Sequence, residues 1–302
     1  MTYPLKLKYH AKTAIWGGST LKNEWNKPCE FDKLAETWEL TVRDDAVNTI
    51  IGGELDGRSL GELVDGGKFP LLIKFIDAED KLSVQVHPDD TFAAEVENDV
   101  GKTEMWYIAD AKEGAEIIYG IKKDVAEVYC DSKIESQVNR IAVKKGDSFF
   151  IPSGMLHAIG KGCLIAEIQQ NSDLTYRVYD YDRRDKNGNL RELHTEKALK
   201  VIRYFADSEV DEIRYSEKDK IGVGECLASC KYFNVNRVEL KGDEAALDTN
   251  GTFHSLLCVE GDGEIVCGGN SYTFTKGDSY YIPKEIGKYK IEGNATVLIS
   301  RT

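Results

Sequence analysis

The sequence predicts a mainly β fold, two jelly-roll barrels with a few helices, and three observations carry that reading. Many short segments alternate apolar and polar residues or are β-branched and aromatic, with Gly-Asp, Asp-Gly and Gly-Gly turns between them. The run Lys145-Gly146-Asp147-Ser148-Phe149-Phe150-Ile151-Pro152 returns 131 positions later as Lys276-Gly277-Asp278-Ser279-Tyr280-Tyr281-Ile282-Pro283, which implies two copies of one β unit. Helical periodicity is confined to two short stretches.

Taken in order, Leu71-Leu72-Ile73-Lys74-Phe75-Ile76, Leu82-Ser83-Val84-Gln85-Val86-His87, Glu104-Met105-Trp106-Tyr107-Ile108 and Ser148-Phe149-Phe150-Ile151-Pro152 read as strands. One helix is expected over Asp89–Val100, after Pro88. A second is expected over Thr195–Ala206, with Thr195 as its cap and Leu199, Ile202, Arg203 and Phe205 at helical spacing. Before each copy of the repeat an apolar strand runs into a glycine turn, Met105–Ile108 through Gly114 and Leu256–Val259 through Gly261 and Gly263. Strand, turn, Lys-Gly-Asp and Ile-Pro, in that order, is the arrangement of a cupin jelly roll. The polar stretch at 207–220 marks the expected boundary, giving a unit over 1–210, with an N-terminal extension and helical elements, and a second unit over 211–302. The longer first unit is expected to carry the chemistry.

The 302 residues suffice for two cores. With 41% hydrophobic and 30% charged residues, the composition is that of a soluble globular protein. No apolar run approaches the roughly 20 residues of a spanning helix. Met1–Lys8 lacks the apolar block of a secretory signal, so a cytoplasmic location is expected. The seven cysteines, Cys29, Cys130, Cys163, Cys226, Cys230, Cys258 and Cys267, are odd in number and dispersed, a pattern of small buried thiols and not of disulfides or a zinc ribbon. A net charge of −13 and the lack of a long Lys/Arg run disfavour nucleic acid. A small anionic substrate remains open, because one pocket needs only a few local cations. Oligomeric state leaves no trace in the sequence.

Gln85 and His87 stand two apart on a strand, so both side chains face the same side. Glu104 opens the next strand and His157 closes the run from Ile151. Two imidazoles, a carboxylate and an amide oxygen without thiolate suit zinc, although iron, manganese or cobalt accept a similar set. The repeat supplies an internal control. Aligning Trp106 with Leu257 sets Ser255 opposite Glu104, shifting His157 by the repeat length reaches Lys288, and Asn234-Val235-Asn236 stands near the place of Gln85-Val86-His87. The second unit is therefore expected to be metal-free.

Read together, Tyr9, Ile15-Trp16-Gly17-Gly18, Leu82–Pro88, Lys102-Thr103-Glu104-Met105-Trp106, Ile151–Ala158 and Gln169–Asp180 resemble the type I mannose-6-phosphate isomerase family in its shorter bacterial form. The resemblance implies Gln85, His87, Glu104 and His157 as ligands of one zinc ion and Arg177 as a catalytic arginine. It places Ser83 and Lys102 in the substrate pocket and matches Glu167 to an acidic site residue. Glu167 and Lys102 are then both candidate bases, and Lys102 is equally a candidate phosphate ligand. Arg183 and Arg184 are further phosphate candidates, and Tyr9 and Trp16 are expected to line the sugar pocket. The helical domain that longer members insert between the Glu and the second His is absent here or reduced to an element near 122–139. The implied reaction interconverts mannose 6-phosphate and fructose 6-phosphate through an enediol. The competing readings are a metal-dependent cupin oxygenase and a non-catalytic sugar-binding double cupin.

Overall fold

The computed structural model describes residues 3–64, 69–184 and 187–302, so Met1 and Thr2 lie outside the described residues. The chain is mainly β, and its strands pair antiparallel in three large sheets. The six-stranded sheet runs Ser148–Ile151, Glu104–Ala111, Cys163–Gln170, Leu71–Ala78, Glu36–Leu40, His10–Lys12. Its two central strands, Cys163–Gln170 and Leu71–Ala78, are buried at every position, as their nearly continuous apolar runs demand. Their register sets Glu167 beside Lys74 on one side and Trp106 on the other. The five-stranded sheet runs Val138–Ala142, Glu116–Ile121, His157–Ile159, Val84–Val86, Tyr176–Tyr179.

These two sheets face each other, and side chains from Val84–Val86 and His157–Ile159 meet those from Glu104–Ala111 and Cys163–Gln170. Among the described residues each sheet is an open path of strands, so the two closed barrels expected from the sequence are not what the hydrogen bonds form. The physical reason is edge pairing: Glu36–Leu40 occupies the outer edge of Leu71–Ala78, which then has no free ladder for the facing sheet.

The eight-stranded sheet is built on the long strands Asn234–Asp248, Lys288–Arg301 and His254–Cys267. Register shifts between Lys241 and Asp243 and between Cys258 and Glu260 bend them. Residues from both ends of the same strands, such as Val238 with Leu247 and Leu256 with Ile265, thereby share one core. Leu5–Lys8 and Thr49–Ile51 complete this sheet through pairing of Leu5–Lys8 with Ser279–Ile282, so the N-terminal extension is docked on the C-terminal unit. The main core likewise joins Leu5, Phe75 and Ile108 to Leu257 and Leu298.

The stretch at 207–220, read as the boundary between the two units, opens with the helix Asp207–Arg214. Asp207 and Glu209 in its first turn and Arg214 in its last suit the helix dipole, and Val210 anchors it in the core. The helix Asp90–Glu97 starts where Asp89 accepts from the Phe92 amide at 2.8 Å and ends at Asn98 in the left-handed region. The helix Thr195–Val201 is shorter than expected because Ile202 is extended, and its cap position falls on His194, not Thr195. Between Glu104 and His157 the only helical piece is the single turn Ser132–Ser136. No helix among the described residues is long and apolar enough to cross a membrane.

The repeat is visible in matching hydrogen bonds. Gly146 (φ 93°) donates to Ile108 O and Gly277 (φ 92°) to Cys258 O, each at 2.9 Å. Asp147 O accepts from the Ile108 amide as Asp278 O does from Cys258. Left-handed φ at that turn position favours glycine in both copies. This register corrects the internal alignment by one residue: Glu104 pairs with Ile151 and His254 with Ile282, so His254, not Ser255, occupies the place of Glu104.

His254 is fully buried, and its Nδ1 meets the Tyr289 hydroxyl at 2.7 Å. Burial, assisted by the Arg301 charge, pushes its pKa down from 6.5 to about 4. Above the unfolded pKa both states are neutral and the fold keeps its full stability. As pH falls from about 6.5 to about 4 only the unfolded chain takes the proton, costing on the order of 3 kcal/mol. His254→Asn is therefore expected to lose distinctly less stability than the parent between pH 7 and pH 4.5 in urea titrations. Equal losses in both proteins would show that His254 does not titrate this way.

Candidate active site

His87, Glu104 and His157 come from both facing sheets to one point, with potential ligand atoms all within 4.8 Å of one another. The strand register explains this: His157 is the cross-strand partner of Gln85, and Glu104 sits at the start of the strand beside Gln169. All three side chains are at most 1% exposed. His87 Nδ1 lies 2.7 Å from Leu174 O and His157 Nδ1 2.8 Å from Met155 O. Such bonds hold the proton on Nδ1 and leave the Nε2 lone pairs free. His87 Nε2 is 3.4 Å from one Glu104 oxygen and His157 Nε2 is 3.5 Å from the other.

Glu104 Oε1 and His87 Nε2 have no hydrogen-bond partner, while Glu104 Oε2 has the Lys102 ammonium at 3.0 Å. Buried acceptors without donors are costly, and a divalent cation satisfies all of them together. Burial, with the Lys102 and His157 charges, holds His87 well below the usual histidine range. Burial also lowers His157, outweighing the pull of Glu104. Both rings are thus neutral, the form a metal requires. Burial raises the Glu104 carboxyl, but Lys102 and His157 overcome it and keep it below the usual value. Gln85 is adjacent, with Nε2 3.4 Å from His157 Nε2 and Oε1 accepting from the Ser83 hydroxyl at 3.4 Å. Its amide must turn over for the oxygen to face a cation.

Beside this cluster lies a cavity of about 400 Å³ lined by Trp16, Ser83, Gln85, Lys102, Glu167 and Arg177, together with Ala14, Glu36, Lys74, Ile76, Leu82, Ile159, Asp173, Thr175 and Arg191. Four cations in one cavity stand out in a chain of net charge −13. Lys102 Nζ lies 3.0 Å from Glu104. Glu167 accepts from Trp106 Nε1 at 3.0 Å and faces Lys74 at 3.7 Å. Burial and the Glu104 charge raise its pKa above the usual carboxylate range. Arg177 donates through Nη1 to Glu192 O at 2.8 Å and through its amide to His194 Nδ1 at 3.1 Å, while its buried Nε has no partner.

Tyr9 is not among the lining residues: its hydroxyl donates to Pro28 O at 2.7 Å, and its ring lies under the Lys27 ammonium at 4.4 Å. Arg183 and Arg184 also stand outside the lining. Arg183 is taken up by Asp180 and Lys81 O, and Arg184 by Gly188 O. Arg191 lines the cavity in their stead.

Sequence reasoning missed Lys74, Asp173 and Arg191. Lys74 is 3% exposed and sits between Glu36, Glu167 and Asp173, at 3.5, 3.7 and 3.6 Å. Burial alone would lower its pKa, but the three carboxylates raise it. Its signal was a single lysine inside an otherwise apolar strand. Arg191 gave no such signal, because it lies in a charge-rich loop.

The chain matches two protein families: residues 5–117 match phosphomannose isomerase type I, catalytic domain, and residues 225–302 match mannose-6-phosphate isomerase, cupin domain. It is 38% identical to mannose-6-phosphate isomerase ManA of Bacillus subtilis over 99% of each chain. Mannose-6-phosphate isomerase of Streptococcus mutans is 34% identical, with 100% of this chain and 99% of that one covered. The crystal structure of mannose 6-phosphate isomerase from Bacillus subtilis, 32% identical in sequence, superposes over 99% of each chain with a TM-score of 0.85.

Proposed function

The chain belongs to the type I mannose-6-phosphate isomerase family, and we propose that it interconverts mannose 6-phosphate and fructose 6-phosphate at a zinc site in the unit 1–210, with 211–302 a metal-free partner. The observation that carries this reading is the buried cluster of His87, Glu104 and His157 ligand atoms, with His87 Nε2 and Glu104 Oε1 lacking hydrogen-bond partners, placed beside a cation-rich cavity.

His87, Glu104 and His157 would hold the ion, with Gln85 as fourth ligand. Bound there, zinc would supply Lewis-acid polarisation of the sugar oxygens. Glu167 is the proposed base that carries a proton between C1 and C2. Its raised pKa brings it closer to neutral pH than an ordinary carboxylate, and its bond from Trp106 fixes one oxygen. Lys102, buried beside Glu104, directs its remaining donors toward the substrate oxygens. The Arg177 guanidinium stabilises the enediolate charge, with Nε available to it. Ser83 and Trp16 line the sugar pocket, and Arg191 offers the phosphate a donor group on the same wall.

Carrying out the reaction in D₂O tests both activity and mechanism. Purified protein with one equivalent of zinc should convert mannose 6-phosphate to fructose 6-phosphate with solvent deuterium at C1, since a proton resting on Glu167 exchanges. Complete absence of turnover with zinc bound would overturn the function, whereas turnover without any deuterium would overturn the enediol route.

A further inference from the structure

The wall of the cavity that carries Arg177 and Arg191 is held by one carboxylate the reaction itself does not use. Asp180 is 4% exposed. Its Oδ2 accepts from Arg191 Nε at 2.7 Å, its Oδ1 from Arg191 Nη2, and Arg183 Nη2 donates to the same Oδ1. Arg183 in turn bonds Lys81 O, fastening the corner to the loop that leads into Val84–Val86. The corner itself is unusual, because Tyr181 and Asp182 both have left-handed φ, 56° and 54°. Non-glycine residues rarely adopt that conformation, and a surrounding network must impose it. The Lys81 ammonium stacked 3.5 Å over the Tyr181 ring belongs to that network. Beyond the corner, residues 190–194 return along Arg177, where Glu192 O and His194 Nδ1 accept from it.

We propose that Asp180 is a positioning residue. By gripping Arg191 through two parallel bonds it sets that guanidinium in the cavity wall, facing the anionic end of a phosphorylated substrate. The proposal rests on the reading of the cavity as a sugar-phosphate site. Asp180 neutralises one arginine while leaving the wall with net positive charge, because Arg177 has no carboxylate of its own within ion-pair range among the described residues. A bidentate carboxylate also fixes the plane of the guanidinium, which a single bond does not. Isosteric Asn removes the charge and one acceptor.

The test compares Asp180→Asn, Asp180→Glu, Arg191→Ala and the double variant Asp180→Asn/Arg191→Ala, each as full-length zinc-loaded protein. Asp180→Asn is expected to raise KM for mannose 6-phosphate about tenfold, to change kcat less than about threefold, and to weaken competitive inhibition by inorganic phosphate in the same proportion as KM. Asp180→Glu should recover part of the loss. In the Arg191→Ala background, Asp180→Asn should add less than about twofold, because the two residues act through one shared bidentate contact. Unchanged KM and phosphate inhibition in Asp180→Asn, or full additivity in the double variant, would overturn the proposal. Calorimetric binding of inorganic phosphate to the same variants reads the latch without turnover, so a failure of the isomerase assignment is told apart from a failure of the latch. If Asp180→Asn does not fold, Asp180→Glu decides: native phosphate affinity and KM in that variant, despite its displaced carboxylate, would count against positioning.

Discussion

His157→Ala is expected to lose metal and turnover together while the sheets persist. The parent should hold about one zinc per chain, the variant well under about a tenth of that, and activity should fall by at least about 10³-fold. The argument starts from the geometry: His157 Nε2 and His87 Nε2 flank the two Glu104 oxygens, and none of these groups has another strong partner apart from Lys102 on one carboxylate oxygen. Removing one imidazole leaves a carboxylate, one ring and the weak amide oxygen of Gln85, too poor a set to hold a divalent ion against water. The fold should survive because the site sits on sheets already hydrogen-bonded on both sides, unlike a zinc finger that folds only with its metal. His157 does pack edge-on against Trp106, with centroids 5.4 Å apart, so a loss of about 1–3 kcal/mol in stability is expected from the truncation itself. Chelation of the parent separates the two effects, since it should abolish turnover with a smaller fall in melting temperature. A fully active, metal-free His157→Ala protein would sink the ligand assignment.

How far such a site can be read from sequence depends on which kind of periodicity carries each residue. Gln85 and His87 were legible as a pair because a strand has period two, Glu104 because it opens a visible apolar strand, and His157 because it closes the run from Ile151. The repeat was legible because the Lys-Gly-Asp turn needs a left-handed glycine in both copies. Its alignment slipped by one residue at His254 because apolar patterning alone does not fix register; the ladder between His254 and Ile282 does.

Closed barrels were overread for a similar reason. The sequence announces strands, but not that Glu36–Leu40 takes the edge a closed barrel needs. Long-range placement was the least legible part. Lys74 and Arg191 are far apart in the chain yet line one cavity, and Tyr9 belongs to the resembling motif yet stands against Lys27. The polar run at 207–220 gave no helical signal because its exposed face dominates the composition, whereas one buried valine and well-placed end charges suffice for two helical turns.

Arg177→Ala should retain zinc and fold yet lose most turnover, and the way it does so separates two roles. The guanidinium is steered by Glu192 O, the Arg177 amide is held by His194 Nδ1, and Nε stays buried and unpartnered, so the group is already oriented before substrate arrives. Burial and the neighbouring Arg191 charge lower its pKa from the free arginine value, which means the structure tolerates this charge at a cost and gains by offering it an anion. If that anion is the enediolate, the contact strengthens only as charge develops, and kcat should fall by roughly 10²–10³-fold with KM changed only a few fold. Arg177→Lys should then recover little, because lysine keeps a charge but loses the planar donor set that Nε and Nη1 present. If the anion is the phosphate, the contact exists equally in the ground state, and both variants should chiefly raise KM. Asp180→Asn supplies the reference for that second pattern, since it acts on Arg191 at the proposed phosphate end. A kcat-dominated loss in Arg177→Ala beside a KM-dominated loss in Asp180→Asn would assign the two arginines to opposite ends of the substrate. Near-native kcat and KM in Arg177→Ala would remove Arg177 from the chemistry and leave the three clustered ligands as the supported part of the site.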